Sequence, residues 1–374
     1  MKIIIYQPRI SYYVGGGEVV PANHASELVK LGHDVEVLTT RAPFIKESPL
    51  FNSLKKIPGI TIRYIDVPQK LKWIYDTAPG ADWERWDNES LHVGLMAREV
   101  LCGSDADLII THLLFDAIAC PSQAPSVLHL HGYPPDFTYH HKLLAGLPDA
   151  FISVSEAIAA RWKKILPPGA PSLVVQNGID EGRYKPAAVK QTYDLMYIGR
   201  LLPVKGIDTL IEAASFLPGI KVAVAGTGPM QSELQRLAKR KKVDDRVSFL
   251  GYVPDKDLPN LYNSAKIVAL PSKDKEGILT TLLEAASCAR PVITTSAGSM
   301  SEFIDNMVNG VIVSPDDPKE LSRAARKLLE DEKLRVDLGE RARRKIMEGW
   351  TWSQRIAQLE TVYLEIASKH RRDI

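Results

Sequence analysis

Two carboxylates frame the stretch "EGILTTLLE": Glu276 and Glu284, with seven uncharged residues between them. Were all eight steps helical, they would rise about 12 Å and leave the two side chains roughly 80° apart around the axis. That geometry does not make an acid–base dyad. A loop position for Glu276 and a helix position for Glu284, with the helix starting near Thr280, gives a different chemistry. The two acids could then accept hydrogen bonds from hydroxyl groups at opposite ends of one elongated ligand. The backbone N–H groups of Gly277, Ile278 and Leu279 would face a diphosphate between them. A plainer reading stands beside this one. Glu276 could be a helix-start charge complementing the dipole, and Glu284 a half-buried partner of a basic residue.

Other segments offer complementary groups. "GRLLPVKG" places Arg200 and Lys205 just after an apolar run. A planar guanidinium grips a phosphate through two hydrogen bonds, and an ammonium adds a compact positive charge; two solvated surface cations are the simpler alternative. "VGGGEVV" puts Gly15, Gly16 and Gly17 before a helical stretch. There the backbone can approach a phosphate and the helix end offers unpaired N–H groups, although a tight turn needs glycines too. "HLHGYPP" carries His129 and His131. Alternate residues on a strand share a face, but no carboxylate or third ligand accompanies the pair, so no metal is expected.

The elements that must position these groups alternate. "KIIIY", "DVEVLTT", "ITIRYID", "ADLIITH", "SVLHLHG" and "AFISVS" read as strands of a first half, several of them continuous apolar runs typical of strands buried on both faces. "EVVPANHASELVKLG" reads as a helix ending at Gly32. The stretch Tyr75–Asn88, rich in Trp and Asp, reads as a loop or short helix over one edge. A pause around 178–190 marks a hinge. The alternation restarts with "DLMYIGR", "KVAVAGTG", "VSFLGYV", "KIVALPS", "PVITTS" and "GVIVSP", with helices such as "SELQRLAKRKK" and "ELSRAARKLLEDE" between them. The expected organisation is an α/β doubly wound unit over 1–180, a second over 188–352, and a last helix over 353–374 packing back on the first. In such sheets ligands sit beyond the C-terminal ends of the strands, which is where the segments above fall.

Composition bounds the class. The 374 residues suit two domains. A net charge of +2 argues against nucleic acid as a partner. Residues 1–180 hold 16 basic and 19 acidic side chains, the remainder 31 and 26, so the second half is the basic one. That suits an anionic small ligand as well as a solvated surface. The widely spaced Cys102, Cys120 and Cys288 form neither a zinc pattern nor a disulfide framework. No signal peptide and no membrane span are expected, which points to the cytoplasm, with peripheral contact at the inner membrane face left open.

Taken together, "GGGE", "GRLLPVKG", "AGTGPMQSEL", "FLGYVPDKDLPNLYNSA" and "EGILTTLLEAASCARPVI", in that order, resemble the family 4 retaining glycosyltransferases. The resemblance runs from "LVKLGHDVEVLTT" to the C-terminal "TWSQRIAQLETVY". It implies the GT-B fold, two Rossmann-like domains facing across a cleft. It also implies roles for matching positions. Arg200 and Lys205 bind the donor diphosphate and stabilise the departing nucleotide. Glu276 binds donor-sugar hydroxyls and Glu284 the ribose. Gly16 and Gly17 approach the diphosphate, and Tyr252, Val253 and Lys256 border the base. His131 sits near the reacting sugar carbon, or else structures a strand end. The chain departs from the commoner pattern at Ile278 and Leu279, and at "SAGSMSEFI", which keeps the acid Glu302 but lacks the usual glycines and proline. Those departures bear on donor identity.

The implied reaction moves a sugar from a nucleotide-diphosphate sugar, UDP- or GDP-linked, to a hydroxyl of a glycan, lipid-linked or small-molecule acceptor. Configuration is retained, with no cofactor and no metal, because fixed cations and helix ends stabilise the growing charge. The acceptor is expected on the first domain. Rival readings are a sugar-nucleotide epimerase of the same architecture, a non-catalytic sugar-nucleotide-binding protein and a NAD-dependent dehydrogenase. The last is disfavoured because no intact G-x-G-x-x-G follows strand one.

Overall fold

A computed structural model describes residues 1–76, 82–121, 123–134, 139–274 and 276–370. The chain forms two compact units, residues 1–177 together with 352–374, and residues 178–351.

In unit 1 seven parallel strands form one sheet: β1 (Lys2–Tyr6), β2 (Asp34–Arg41), β3 (Ile60–Asp66), β4 (Leu108–Thr111), β5 (Ser126–Leu130), β6 (Ala150–Ser153) and β7 (Ser172–Val174). Their order is β3-β2-β1-β4-β5-β6-β7. The apolar run of β1 is buried on both faces, and the two-residue period of a strand divides it. Ile3 and Ile5 enter one core with Val35, Val37, Leu108 and Ile110, while Ile4 and Tyr6 enter another with Leu38 and Ile109. The C-terminal helix Trp352–His370 completes the first of these cores with Trp352, Ile356, Leu359 and Tyr363.

The helix Gly16–Lys30 follows the glycine-rich loop, with Gly15 as an N-cap that offers no side chain. Pro21 lies inside this helix and has no N–H for the carbonyl of Gly17. Gln7 Nε2 fills that place, donating to Gly17 O at 2.9 Å. The helix ends as its sequence predicts. Gly32, at φ +87°, takes the left-handed position, and its N–H and that of His33 satisfy Val29 O and Leu28 O.

The stretch Tyr75–Asn88 departs from expectation. Residues 77–81 lie outside the described residues, but Asp82–Cys102 is a 21-residue helix, longer than the loop or short helix expected. Its reason is buried. Glu89 and Ser90 on that helix are fully buried against Arg9, which is fully buried as well. The Arg9 guanidinium pairs with Asp116 and lies 3.4 Å from Glu89. Tyr12 and Tyr75 donate to Glu89 at 2.8 and 2.7 Å, and Ser90 to Asp116 at 2.6 Å. Burial works against the Arg9 charge, but Asp116 and Glu89 outweigh it and hold the group above its ordinary pKa. The first half of the helix is thus anchored by a charge network, and the second half by an apolar stripe of Val93, Ala97 and Leu101.

Unit 2 has six parallel strands: β8 (Tyr193–Ile198), β9 (Val222–Ala225), β10 (Val247–Gly251), β11 (Ala265–Leu270), β12 (Val292–Thr295) and β13 (Val311–Val313). Their order is β10-β9-β8-β11-β12-β13. One continuous core embeds this sheet, with Leu210, Ile211, Leu282, Leu283, Leu321 and Leu338 among the helical residues that cover it. The strand order reverses between β8 and β11, so both send their C-terminal loops out at the sheet's switch point.

Arg9→Met should leave Asp116 and Glu89 buried without their cation. The expected loss is about 3–5 kcal/mol, seen in thermal denaturation as a fall in melting temperature on the order of 10 °C.

Candidate active site

In unit 2 the expected groups emerge at the switch point. After β8 the chain passes Gly199 and Arg200, then makes a short 3-10 turn at Pro203–Lys205 and enters the helix Ile207–Ser215. After β11 it runs through a loop holding Glu276 and enters the helix Thr280–Ser287, which carries Glu284. The N-caps of these helices, Gly206 and Leu279, provide no side-chain hydrogen bond. Two helix N-termini therefore present uncapped N–H groups near the same edge, a natural anion site.

The loops are locked together. Gly206, at φ +66°, lies so close to the Pro271 carbonyl that a Cβ would stand 1.9 Å from that oxygen. Lys273 N donates to Val204 O at 2.8 Å, and Lys273 Nζ pairs with Asp208 and Asp316, both at 2.7 Å. Gly298, at φ +68°, plays the same part on the other side. Ser299 N donates to Glu276 O at 2.9 Å, and a Cβ on Gly298 would fall 2.0 Å from that same carbonyl. Sequence reading passed over Gly298 because "SAGSM" departs from the family pattern; a glycine ahead of a short turn was the available signal.

Lys205 and Glu276 do not stand as separate contacts. Nζ and Oε2 are 2.8 Å apart in a largely buried ion pair. Arg200 is exposed and makes no ion pair among the described residues; its carbonyl accepts from Tyr197 Oη at 2.8 Å, which fixes the loop behind it. Tyr252, after β10, leaves 68% of its surface exposed, while Val253 packs on the core and Lys256 is exposed. An aromatic ring so exposed at a strand's C-terminal end suits stacking. Gly277 and Leu279 are half-buried. Ile278 is 8% exposed, so its side chain belongs to the core and only its backbone is available.

Glu284 accepts from Tyr262 Oη at 2.5 Å rather than from a basic residue. Burial pushes its carboxyl up to about 7, against the pull of Tyr262.

In unit 1 Gly16 and Gly17 occupy the first turn of their helix, and an added Cβ at either would meet no protein atom within 4 Å. Glu18, beside them, is buried, and burial pushes it up to about 7. His131 follows β5 and accompanies His112, which follows β4: Nε2 and Nδ1 are 2.9 Å apart. His129 reaches Tyr363 Oη at 2.7 Å, and His24 lies 5.1 Å from His129, centroid to centroid. The expectation that no third ligand accompanies the H-x-H pair is corrected here. His112, His129 and His131 bring ligand atoms within 4.8 Å of one another. Their rings stack at 15–27°, and near-parallel rings do not fan around one point as coordinated imidazoles do. His112 and His131 are hydrogen-bonded to one another, His129 to Tyr363, and the rings with that of His24 form a column. Burial lowers His24 to about 3 and His131 to about 4, so the column is neutral at neutral pH.

Comparison with known proteins adds the following. A family model described as "Glycosyl transferases group 1" matches residues 179–345, and one described as "Glycosyltransferase Family 4" matches residues 14–183. A D-inositol 3-phosphate glycosyltransferase of Salinispora tropica is 32% identical over 53% of this chain and 47% of its own, so the chain spans about half the length of that relative. An N-acetyl-alpha-D-glucosaminyl L-malate synthase of Bacillus anthracis is 25% identical over 94% of both chains. The crystal structure of Anabaena HepE in complex with UDP is 22% identical, covers 98% of this chain and 100% of that one, and superposes with a TM-score of 0.77. That likeness establishes the GT-B fold. No helix among the described residues is long and apolar enough to cross a membrane.

Two variants probe the geometry. Gly298→Ala should displace Glu276, costing roughly 1–3 kcal/mol for the left-handed residue alone, read by chemical denaturation. Glu284→Gln should act through pH. A carboxyl raised on folding stabilises below about 4.5 and loses that contribution as pH rises through 7. The variant's melting advantage over wild type should therefore grow from pH 4.5 to pH 8, towards roughly 2–3 kcal/mol.

Proposed function

This chain belongs to the family 4 glycosyltransferases, and on that premise we propose that it transfers a sugar, with retention of configuration, from a nucleotide-diphosphate sugar to an acceptor hydroxyl. The observation that carries the reading is the Lys205–Glu276 pair together with the exposed Arg200 at the switch point of unit 2. A diphosphate needs fixed positive charge. Arg200, Lys205 and the backbone N–H groups ahead of Thr280 supply it without a resident metal or other cofactor.

The roles follow from chemistry. Arg200 grips phosphate oxygens through its planar fork. Lys205, aimed by Glu276, neutralises the charge that grows on the leaving diphosphate. Glu276 accepts from a hydroxyl of the donor sugar, and Glu284 from the ribose. Tyr252 stacks on the base, with Val253 and Lys256 alongside. In unit 1 the first-turn amides at Gly16 and Gly17 suit a phosphate group, with open space around both glycines for a close approach. His131, neutral and held by His112, orients the reacting sugar through a hydrogen bond. The acceptor hydroxyl attacks the anomeric carbon from the face the diphosphate leaves, and a phosphate oxygen takes its proton. The donor is a UDP- or GDP-sugar. Unit 1 binds the acceptor.

A panel of UDP-, GDP- and ADP-sugars should raise the melting temperature for the matching donor only. Arg200→Ala and Glu276→Ala should lower transfer of labelled sugar by about 10²–10³-fold while the protein stays folded. Near-normal turnover in either variant contradicts the assignment. Interconversion of sugar nucleotides without any acceptor would instead identify an epimerase.

A further inference from the structure

Unit 1 holds a half-open pocket of about 480 Å³ next to the histidine column. Its walls are apolar for the most part, with Trp86, Leu114, Phe115, Leu130, Tyr133 and Trp162 among them, and His112 and His131 border it. The volume lies in the range of small-molecule sites.

Most of the wall's polar groups are already spoken for. Trp162 Nε1 donates to Gly132 O at 2.8 Å. Ser90 donates to Asp116, and His129 is bonded to Tyr363. His112 Nε2 has no hydrogen-bond partner but is closed off from the pocket, so the half-buried His131, which His112 holds at 2.9 Å, is the imidazole that a ligand meets. Charge is equally telling. No lysine or arginine is among the described lining residues, and Asp87 is the one carboxylate. A phosphate or carboxylate lodged here would be desolvated beside a negative charge with no cation to pair it. A sugar, with hydroxyls on every side, would find too few free partners. An apolar body would lose nothing and gain burial against aromatic faces.

We propose that the acceptor is a compact, uncharged alcohol or phenol whose apolar body fills this cavity and whose hydroxyl lies at the His112–His131 end. This deepens the transferase reading and rests on it. In the step, a bond forms between the acceptor oxygen and the anomeric carbon, and the bond from that carbon to the diphosphate oxygen breaks. The hydroxyl proton passes to the leaving diphosphate, so the products are a glycoside and a nucleoside diphosphate.

The test uses the full chain and three probes: 2-naphthol, D-glucose and inositol 1-phosphate. Calorimetry without donor should show 2-naphthol binding at least tenfold tighter than the other two. Phe115→Ala should weaken that binding at least tenfold, and the milder Phe115→Leu about twofold, with folding followed by circular dichroism. With a donor present, labelled sugar should appear on 2-naphthol. Equal or tighter binding of glucose or inositol 1-phosphate overturns the inference, as does unchanged naphthol affinity in folded Phe115→Ala. The two readings fail separately. If a nucleotide sugar raises the melting temperature but 2-naphthol does not bind, the acceptor class is wrong. If 2-naphthol binds and no nucleotide sugar stabilises the protein, the cavity remains an apolar-ligand site and the transferase reading fails.

Discussion

The ion pair between Lys205 and Glu276 ties the loop that follows β8 to the loop that follows β11. Those two strands are neighbours across the reversal of the sheet, so the pair closes a bridge over the switch point. Everything around it serves to keep that bridge in one place. Gly206 lets the first loop lie against the Pro271 carbonyl, and Gly298 lets its own turn lie against the Glu276 carbonyl. Lys273 ties the same two segments a second time through Asp208 and reaches the loop after β13 through Asp316. A charged ligand entering such a place meets groups that need no rearrangement, which is the economical way to stabilise charge that appears only during a reaction.

Unit 1 solves a different problem. Three of its charged residues, Arg9, Asp116 and Glu89, are turned inward and form a fully buried network. Such networks add little net stability compared with apolar packing, but losing one member is severe. Here the network fixes the chain just before the glycine-rich loop and the face of the long helix Asp82–Cys102. Next to it the histidines form a neutral column, kept neutral by burial. One half of the molecule thus carries its polarity in the interior and lines a cavity with apolar groups, while the other presents cations and helix ends at a sheet edge.

The fold was legible because its strands announce themselves. "KIIIY" and "KIVAL" are apolar on both faces, and a strand buried on both faces belongs to a parallel sheet covered by helices. What escaped did so for physical reasons. β7, Ser172–Val174, is a three-residue edge strand whose apolar run, Leu173–Val175, is too short to set it apart from the loop that follows. The helix Asp82–Cys102 opens with polar and aromatic residues and buries Glu89 and Ser90, which hides its first half; the helical period shows only from Val93, through Met96, Ala97, Val100 and Leu101. At the site, Arg200, Lys205, Glu276 and Glu284 could be placed beyond strand ends from pattern alone. That Lys205 would hold Glu276, and Tyr262 would hold Glu284, depended on pairings between distant segments. His112 and His24 joined His129 and His131 in the same way, from elements that only the strand order brings together.

The core of unit 1 is built from two ends of the chain. Trp352, Ile356, Leu359 and Tyr363 fill it alongside Ile3, Ile5 and Val35, although all of unit 2 lies between them in sequence. On a ribosome the first unit therefore waits with an open apolar face while the second is made, and the later-born half has its full sequence first. The earlier half seals only when the terminal helix arrives, so a nascent chain halted anywhere short of Trp352 would expose a greasy surface for chaperones to cover.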